Sequence, residues 1–153
     1  MGCDIHSYVE KRNENGKWEN IEYEPFRHRT YNVFGFLADV RNYSNIPPIS
    51  EPRGLPTDVS KEIKKQRKIW NSDGHSDSWL SIKELVDFNY DSLIEDQRVT
   101  IQTGPNTFNG GATCNPGEGK ITTYRNFLGD SFFEDLQKLQ DLGAERIVFW
   151  FDN

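Results

Sequence analysis

Two short segments place a carboxylate and an imidazole two residues apart, Asp4-Ile5-His6 and Asp73-Gly74-His75. On a strand, residues two apart point the same way, so Asp4 and His6 present an oxygen and a nitrogen ligand from one face. Such mixed ligands are found around Zn, Mn or Fe and leave coordination positions for water. The alternative is a strand whose polar face is simply solvated.

The second segment repeats the spacing and adds a further carboxylate. Asp77 follows His75 closely, in a glycine-containing stretch that we interpret as a loop just before a helix. Together with Asp152, these residues predict a site for a divalent metal, Zn or Mn, provided that the two segments meet in space. The alternative is a loop that satisfies its own amides and caps the next helix. The predicted ligands are Asp4, His6, His75, Asp77 and Asp152.

A compact basic cluster, Arg27-His28-Arg29, stands out in an otherwise acidic chain. A guanidinium presents a planar fork that matches phosphate oxygens and stabilises negative charge in a transition state. We therefore predict that Arg27, His28 and Arg29 are catalytic, with His28 able to transfer a proton. Arginines that only offset Glu22 and Glu24 on the surface are the alternative. The predicted ligand-binding residues are Tyr31, Arg53 and Trp79.

Composition limits the classes of protein to which the chain can belong. Its 153 residues suit one domain, residues 1–153, and 13% aromatic residues predict an ordered, aromatic-rich core. A formal net charge of −6 argues against general nucleic-acid binding, which depends on an excess of Lys and Arg. The sequence has no secretory or membrane-spanning segment, so we expect a cytoplasmic protein that binds no membrane. An oligomer is compatible with the sequence.

The elements that would position these side chains follow from periodicity. Apolar and polar residues alternate over 4–10, as in a strand, and residues 18–23 form its hairpin partner. Residues 146–151 are an apolar strand expected at the middle of a sheet, which places Asp152 at the end of a central strand. We predict an α+β fold, a single compact domain whose mainly antiparallel sheet has the N- and C-terminal strands at its centre and three to four helices packed on it. Four further helices are predicted: one over 31–40, one ending at about residue 70, one beginning at Ser81 with a capping box to Glu84, and one beginning at about residue 130. Strands are predicted over 98–103 and 121–124, and surface loops over 47–56 and 104–119.

Four motifs in order make the chain similar to a known group: Met1-Gly2-Cys3-Asp4-Ile5-His6, Glu51-Pro52-Arg53-Gly54-Leu55-Pro56, Asp73-Gly74-His75-Ser76 with Ser78-Trp79-Leu80, and Val148-Phe149-Trp150-Phe151-Asp152-Asn153. The chain resembles a family of small proteins encoded by tailed bacteriophages and prophages. The resemblance implies a phage accessory protein in the host cytoplasm and carries over no activity.

The leading hypothesis is a small metal-assisted hydrolase of a phosphate-containing, nucleotide-like ligand, acting to counter host defence. One rival is a protein that sequesters a nucleotide between arginines and aromatic residues without cleaving it. Another is a protein–protein inhibitor of a host factor.

Overall fold

Both terminal segments of the chain pair in one antiparallel sheet. The computed structural model describes residues 2–153, so Met1 of the opening motif lies outside the described residues. In chain order the elements are β1 (Ile5–Arg12), β2 (Trp18–Ile21), α1 (Tyr31–Ala38), α2 (Lys61–Trp70), β3 (His75–Ser81), α3 (Ile82–Asp87), β4 (Leu93–Asp96), β5 (Arg98–Gly104), β6 (Thr107–Thr113), β7 (Lys120–Thr123), α4 (Tyr124–Leu128), α5 (Asp130–Asp141) and β8 (Arg146–Phe151).

The largest sheet has the strand order β2-β1-β8-β3. All six residues of β8 are buried, as expected for a strand covered on both faces. The fold is therefore α+β with mainly antiparallel sheets, and the prediction that the N- and C-terminal strands are central is confirmed.

The chain divides into two compact units. The first comprises the residues up to Arg29, Pro52–Phe88 and Asp130–Asn153, and the second comprises Thr30–Glu51 and Asn89–Gly129. The assignment of the whole chain to one domain stays a prediction.

One face of the four-stranded sheet packs against α2. Ile63 of α2 is fully buried against Val148 and Trp150 of β8, and Tyr8 of β1 packs beside them. We call this side of the sheet the α2 face, and it carries His6, which pairs with Trp150 across the sheet. The opposite face carries Ile5 and Phe151, because successive strand residues alternate between faces.

The segment 75–81 is a strand, and the prediction that His75 and Asp77 lie in a loop is wrong. β3 pairs with β8, which supplies backbone partners that local sequence does not reveal. A β-bulge interrupts the register, since His75 pairs with Phe151 while Ser78 pairs with Phe149. Three steps along β3 thus oppose two along β8, and Ser76 within the bulge has a positive φ of 56°.

Helix boundaries in the first unit follow local chemistry. The predicted capping box is present, because the Ser81 hydroxyl accepts from the Glu84 amide and the Glu84 carboxylate accepts from the Ser81 amide. α5 buries Phe132, Leu136 and Leu139, and Gly143 beyond its end has a φ of 68°.

The second unit contains α1, α4 and two small antiparallel sheets, β4-β7 and β5-β6. Phe36 of α1 lies 5.8 Å from Tyr90 and 5.5 Å from Tyr124, measured between ring centroids. The strands predicted near 98–103 and 121–124 are confirmed, whereas the predicted loop over 104–119 contains β6.

Within residues 2–153, no helix combines the length and the apolar character needed to cross a membrane. Among residues 2–153, Cys3 and Cys114 are not joined by a disulfide.

Candidate functional site

The first unit holds a histidine–carboxylate pair where β1 begins and β8 ends. Nε2 of His6 lies 2.8 Å from Oδ2 of Asp152, and the two side chains are 21% and 19% exposed. Because the Asp152 carboxylate can only accept a hydrogen bond, Nε2 of His6 is the donor. In the neutral ring, Nδ1 then carries the lone pair. Nδ1 has no hydrogen-bond partner within the part of the chain that the structure describes. The pair thus presents an oriented imidazole with one uncommitted nitrogen.

Asp152 is held in place by the backbone of the opposite strand. Its Oδ1 accepts from the Asp4 amide at 3.1 Å, and its own amide donates to the Asp4 carbonyl at 3.1 Å. Both carboxylate oxygens are therefore engaged, which fixes the acceptor that His6 requires.

Asp4 connects this pair to the basic cluster. Nε and Nη2 of Arg29 donate to its two carboxylate oxygens, each at 2.8 Å, and this bidentate hydrogen bonding lowers the pKa of Asp4 below its ordinary value. A Cβ at Gly2 would approach Nη1 of Arg29 to 2.0 Å, so glycine allows the guanidinium to lie against the N-terminal segment. Asp4, His6, Asp152 and Arg29 form one continuous group.

Two tryptophans surround the His6 ring. The Trp70 centroid lies 4.0 Å from that of His6, and the fully buried Trp150 lies at 6.3 Å. Arg67 of α2 lies 5.9 Å above the Trp150 ring, and its Nε donates to Asp77 Oδ2 at 2.8 Å. Asp77 is thereby an ion-pair partner of Arg67.

His75 does not join this group. Since His75 pairs with Phe151 and His6 pairs with Trp150, the two imidazoles lie on opposite faces of the sheet. His75 instead contacts Ser76 Oγ through Nδ1 at 2.9 Å and Asn153 Oδ1 through Nε2 at 3.1 Å.

The five predicted metal ligands therefore do not form a single centre. Among residues 2–153, no group of three or more His, Cys, Asp or Glu side chains is arranged to hold a metal ion. As arranged among residues 2–153, these donors do not form a metal site, and the metal stays a prediction.

Arg53 and Trp79 contact each other, and Trp79 packs against the cluster of Ile63, Val148 and Trp150 on the α2 face. The Arg53 guanidinium lies 4.8 Å from the Trp79 ring centroid and hydrogen-bonds to the Glu84 carboxylate. Tyr31 belongs to the second unit, where its ring contacts Phe34 and Tyr43. The predicted ligand-binding residues are thus distributed between the two units.

Arg27 and His28 line a cavity of about 640 Å³ in the first unit. Both side chains are exposed, and neither makes a hydrogen bond or ion pair to another described residue. Tyr8, Tyr23, Glu22 and Glu24 form much of the remaining wall.

Tyr8 links this cavity to the paired imidazole. It follows His6 by two residues on the same face of β1, about 7 Å along the strand, and stacks on Trp150 at 5.1 Å. Burial, and then the charge of Glu24, raises the pKa of the Tyr8 hydroxyl, so that hydroxyl stays protonated.

Sequence reasoning missed Trp70, Tyr8 and Arg67 as parts of the site. Tyr8 was detectable, because strand alternation already placed it on the side of His6. Trp70 and Arg67 reach the site through the packing of α2, which no local pattern reports.

Comparison with protein-family models, with curated proteins and with solved structures gives no match to this chain.

Proposed function

We propose that the protein is a small hydrolase of a phosphate-containing, nucleotide-like ligand, with His6 as its acid–base group. The observation that carries the proposal is the 2.8 Å bond from His6 to Asp152, which leaves Nδ1 uncommitted within residues 2–153. A carboxylate that holds an imidazole selects its tautomer and stabilises the imidazolium formed when the ring accepts a proton. Partial burial strengthens this interaction relative to water.

The cavity beside Tyr8 is the proposed binding site. Its volume of about 640 Å³ lies within the range of small-molecule sites, roughly 300 to 1,000 Å³. The guanidinium of Arg27 and the imidazole of His28 supply donors for phosphate oxygens. Glu22 and Glu24 repel a bare phosphate, but they accept hydrogen bonds from sugar hydroxyls or base amino groups. This mixed lining favours a nucleotide-like ligand over inorganic phosphate.

In the proposed reaction, water attacks phosphorus and gives its proton to Nδ1 of His6. The leaving oxygen then takes a proton from the imidazolium, which returns the ring to its starting state. Arg27 stabilises the charge that develops on the phosphoryl oxygens, while Arg29 holds Asp4 beside the His6 pair.

Sequestration without cleavage is the second candidate function. The observation that favours it is that the cavity wall combines Tyr8 and Tyr23 with Arg27, which suffices to stack and bind a nucleotide.

One experiment separates the two functions. The protein is incubated with a nucleotide panel and denatured, and the released ligands are analysed by chromatography. A cleaved product supports hydrolysis, whereas intact recovery of a bound nucleotide supports sequestration.

Variants then assign the roles. His6→Gln should lower kcat about 100-fold or more and leave binding unchanged, because it removes the base alone. Arg27→Gln should raise KM about 10-fold through loss of a charged hydrogen bond, while Lys65→Gln on exposed α2 surface serves as the matched control. Unchanged turnover by His6→Gln would rule out the proposed acid–base role.

The resemblance to phage and prophage proteins supplies the context for this proposal. A host nucleotide signal is the ligand we propose, with cleavage in the host cytoplasm countering a defence response.

A further inference from the structure

A second set of reactive side chains lies on the opposite face of the sheet. His75 Nδ1 is 2.9 Å from the hydroxyl of Ser76, and His75 Nε2 is 3.1 Å from Oδ1 of Asn153. A nucleophile, a base in contact with it and a third group that orients the base are the signature of covalent catalysis.

The hydrogen bonds determine the direction of proton transfer. Oδ1 of Asn153 can only accept, so Nε2 of His75 carries the ring proton and Nδ1 carries the lone pair. Nδ1 therefore accepts from the Ser76 hydroxyl, which is the contact that a general base requires.

The backbone at Ser76 provides an independent observation. Its φ of 56° lies in the left-handed region that a serine seldom adopts, and it occurs within the β-bulge of β3. Bulges and such conformations redirect side chains and concentrate at functional sites. The His75 ring is oriented further by Phe151, whose centroid is 6.3 Å away.

Ser78, two residues further along β3, is a serine without access to solvent. It is fully buried, and its hydroxyl accepts from the Arg53 amide at 3.0 Å. Ser76 is partly exposed and contacts an imidazole, so it has both access and activation.

We propose that Ser76, His75 and Asn153 form a nucleophilic site that accepts acyl groups from activated carboxylic esters. A neutral amide stabilises an imidazolium less than a carboxylate does, so this base suits esters with good leaving groups. The site shares no residue with the His6 pair, and the proposal does not depend on the function proposed above.

The chemistry is a two-step acyl transfer. Ser76 Oγ forms a bond to the carbonyl carbon as its proton passes to His75 Nδ1, and the ester oxygen then leaves with that proton as an alcohol. Water attacks the acyl-serine with His75 again taking a proton, which returns to Ser76 Oγ as the carboxylic acid is released. The sum is an ester plus water giving an alcohol plus an acid.

The test uses the full chain and p-nitrophenyl acetate. We expect a burst of p-nitrophenol, one acetyl group added to the intact mass, and peptide mapping of that group to Ser76. Ser76→Ala should abolish the mapped adduct, and His75→Gln should slow its formation about 100-fold. Ser72→Ala, which removes an exposed serine of the preceding turn, should change neither.

Two further measurements keep the result interpretable. Ser76→Gly also removes the hydroxyl but tolerates the positive φ, so it separates loss of the nucleophile from loss of folding. Mapping the acetyl group on the parent chain tests Ser76 without any substitution that could affect folding. Acetylation spread over lysines without enrichment at Ser76, or an unchanged rate in His75→Gln, would overturn the proposal.

Discussion

The ion pair between Arg53 and Glu84 yields a prediction about the stability of the fold. Arg53 hydrogen-bonds to the Glu84 carboxylate, and this bond is the largest cause that lowers the pKa of Glu84 from 4.5 to about 2. Glu84 additionally receives the Ser81 amide in the capping box. Replacing Glu84 by Gln removes the charge but retains a side chain that can complete that box.

The magnitude follows from the pKa and the exposure. At about 1.4 kcal/mol per pH unit, lowering the pKa from 4.5 to about 2 sets an upper limit of about 3.5 kcal/mol. The Glu84 and Arg53 side chains are 37% and 27% exposed, so solvent screening reduces this contribution to about 1 kcal/mol. Glu84→Ala also loses a capping interaction, which adds about 1 kcal/mol.

The sign of the pH dependence follows from the lowered pKa. The folded protein holds Glu84 ionised more strongly than the unfolded chain does, so the stabilisation is complete above pH 4.5 and is lost as the pH falls toward 2. Urea unfolding at pH 7 should show Glu84→Gln about 1 kcal/mol less stable than the parent chain, with the gap closing below pH 4.5. An equal free energy of unfolding at pH 7, or a gap that persists at pH 2, would refute this reasoning.

Three further outcomes follow from the first unit. Glu10→Gln should lower the free energy of unfolding by about 2 kcal/mol in urea titrations, because the buried Arg146 loses its 2.6 Å carboxylate partner and keeps only the exposed Asp58 carboxylate. Ile63→Ala should cost about 2 to 5 kcal/mol in the same assay, because it opens a cavity against Trp150. Asp152→Asn should reduce kcat for the nucleotide substrate at least about 100-fold in steady-state kinetics with little change in KM, because the charge that stabilises the imidazolium is lost.

Strands with a distinctive amino-acid composition were predictable from the sequence. The run 146–151 is apolar throughout, and β8 has the predicted bounds. β6 was missed because its sequence, Thr107–Thr113, is polar with two glycines and is a strand only through its pairing with β5. β3 was missed for the same reason, since its first three residues resemble a loop until β8 supplies their partners.

The proximity of His6 and Asp152 was also within reach of the sequence. Placing the N- and C-terminal strands together at the centre of an antiparallel sheet brings the start of one beside the end of the other. The sequence does not indicate on which face of the sheet His75 lies, because that face depends on the one extra residue in the bulge of β3.

That extra residue accounts for the separation of the two imidazoles. Without the bulge, regular pairing from Ser78 and Phe149 would place Ser76 opposite Phe151 and His75 opposite Asp152, on the α2 face with His6. Ser76→Val should favour this register, because a branched side chain disfavours the positive φ of the bulge, and should bring two histidines and a carboxylate together. We therefore expect the Ser76→Val variant to gain Zn²⁺ affinity in calorimetric titration relative to the parent chain, with near-ultraviolet circular dichroism verifying its fold. A folded Ser76→Val variant with unchanged Zn²⁺ binding would refute this explanation, and would leave Arg29 on Asp4 and Arg67 on Asp77 as the contacts that keep the carboxylates from a metal.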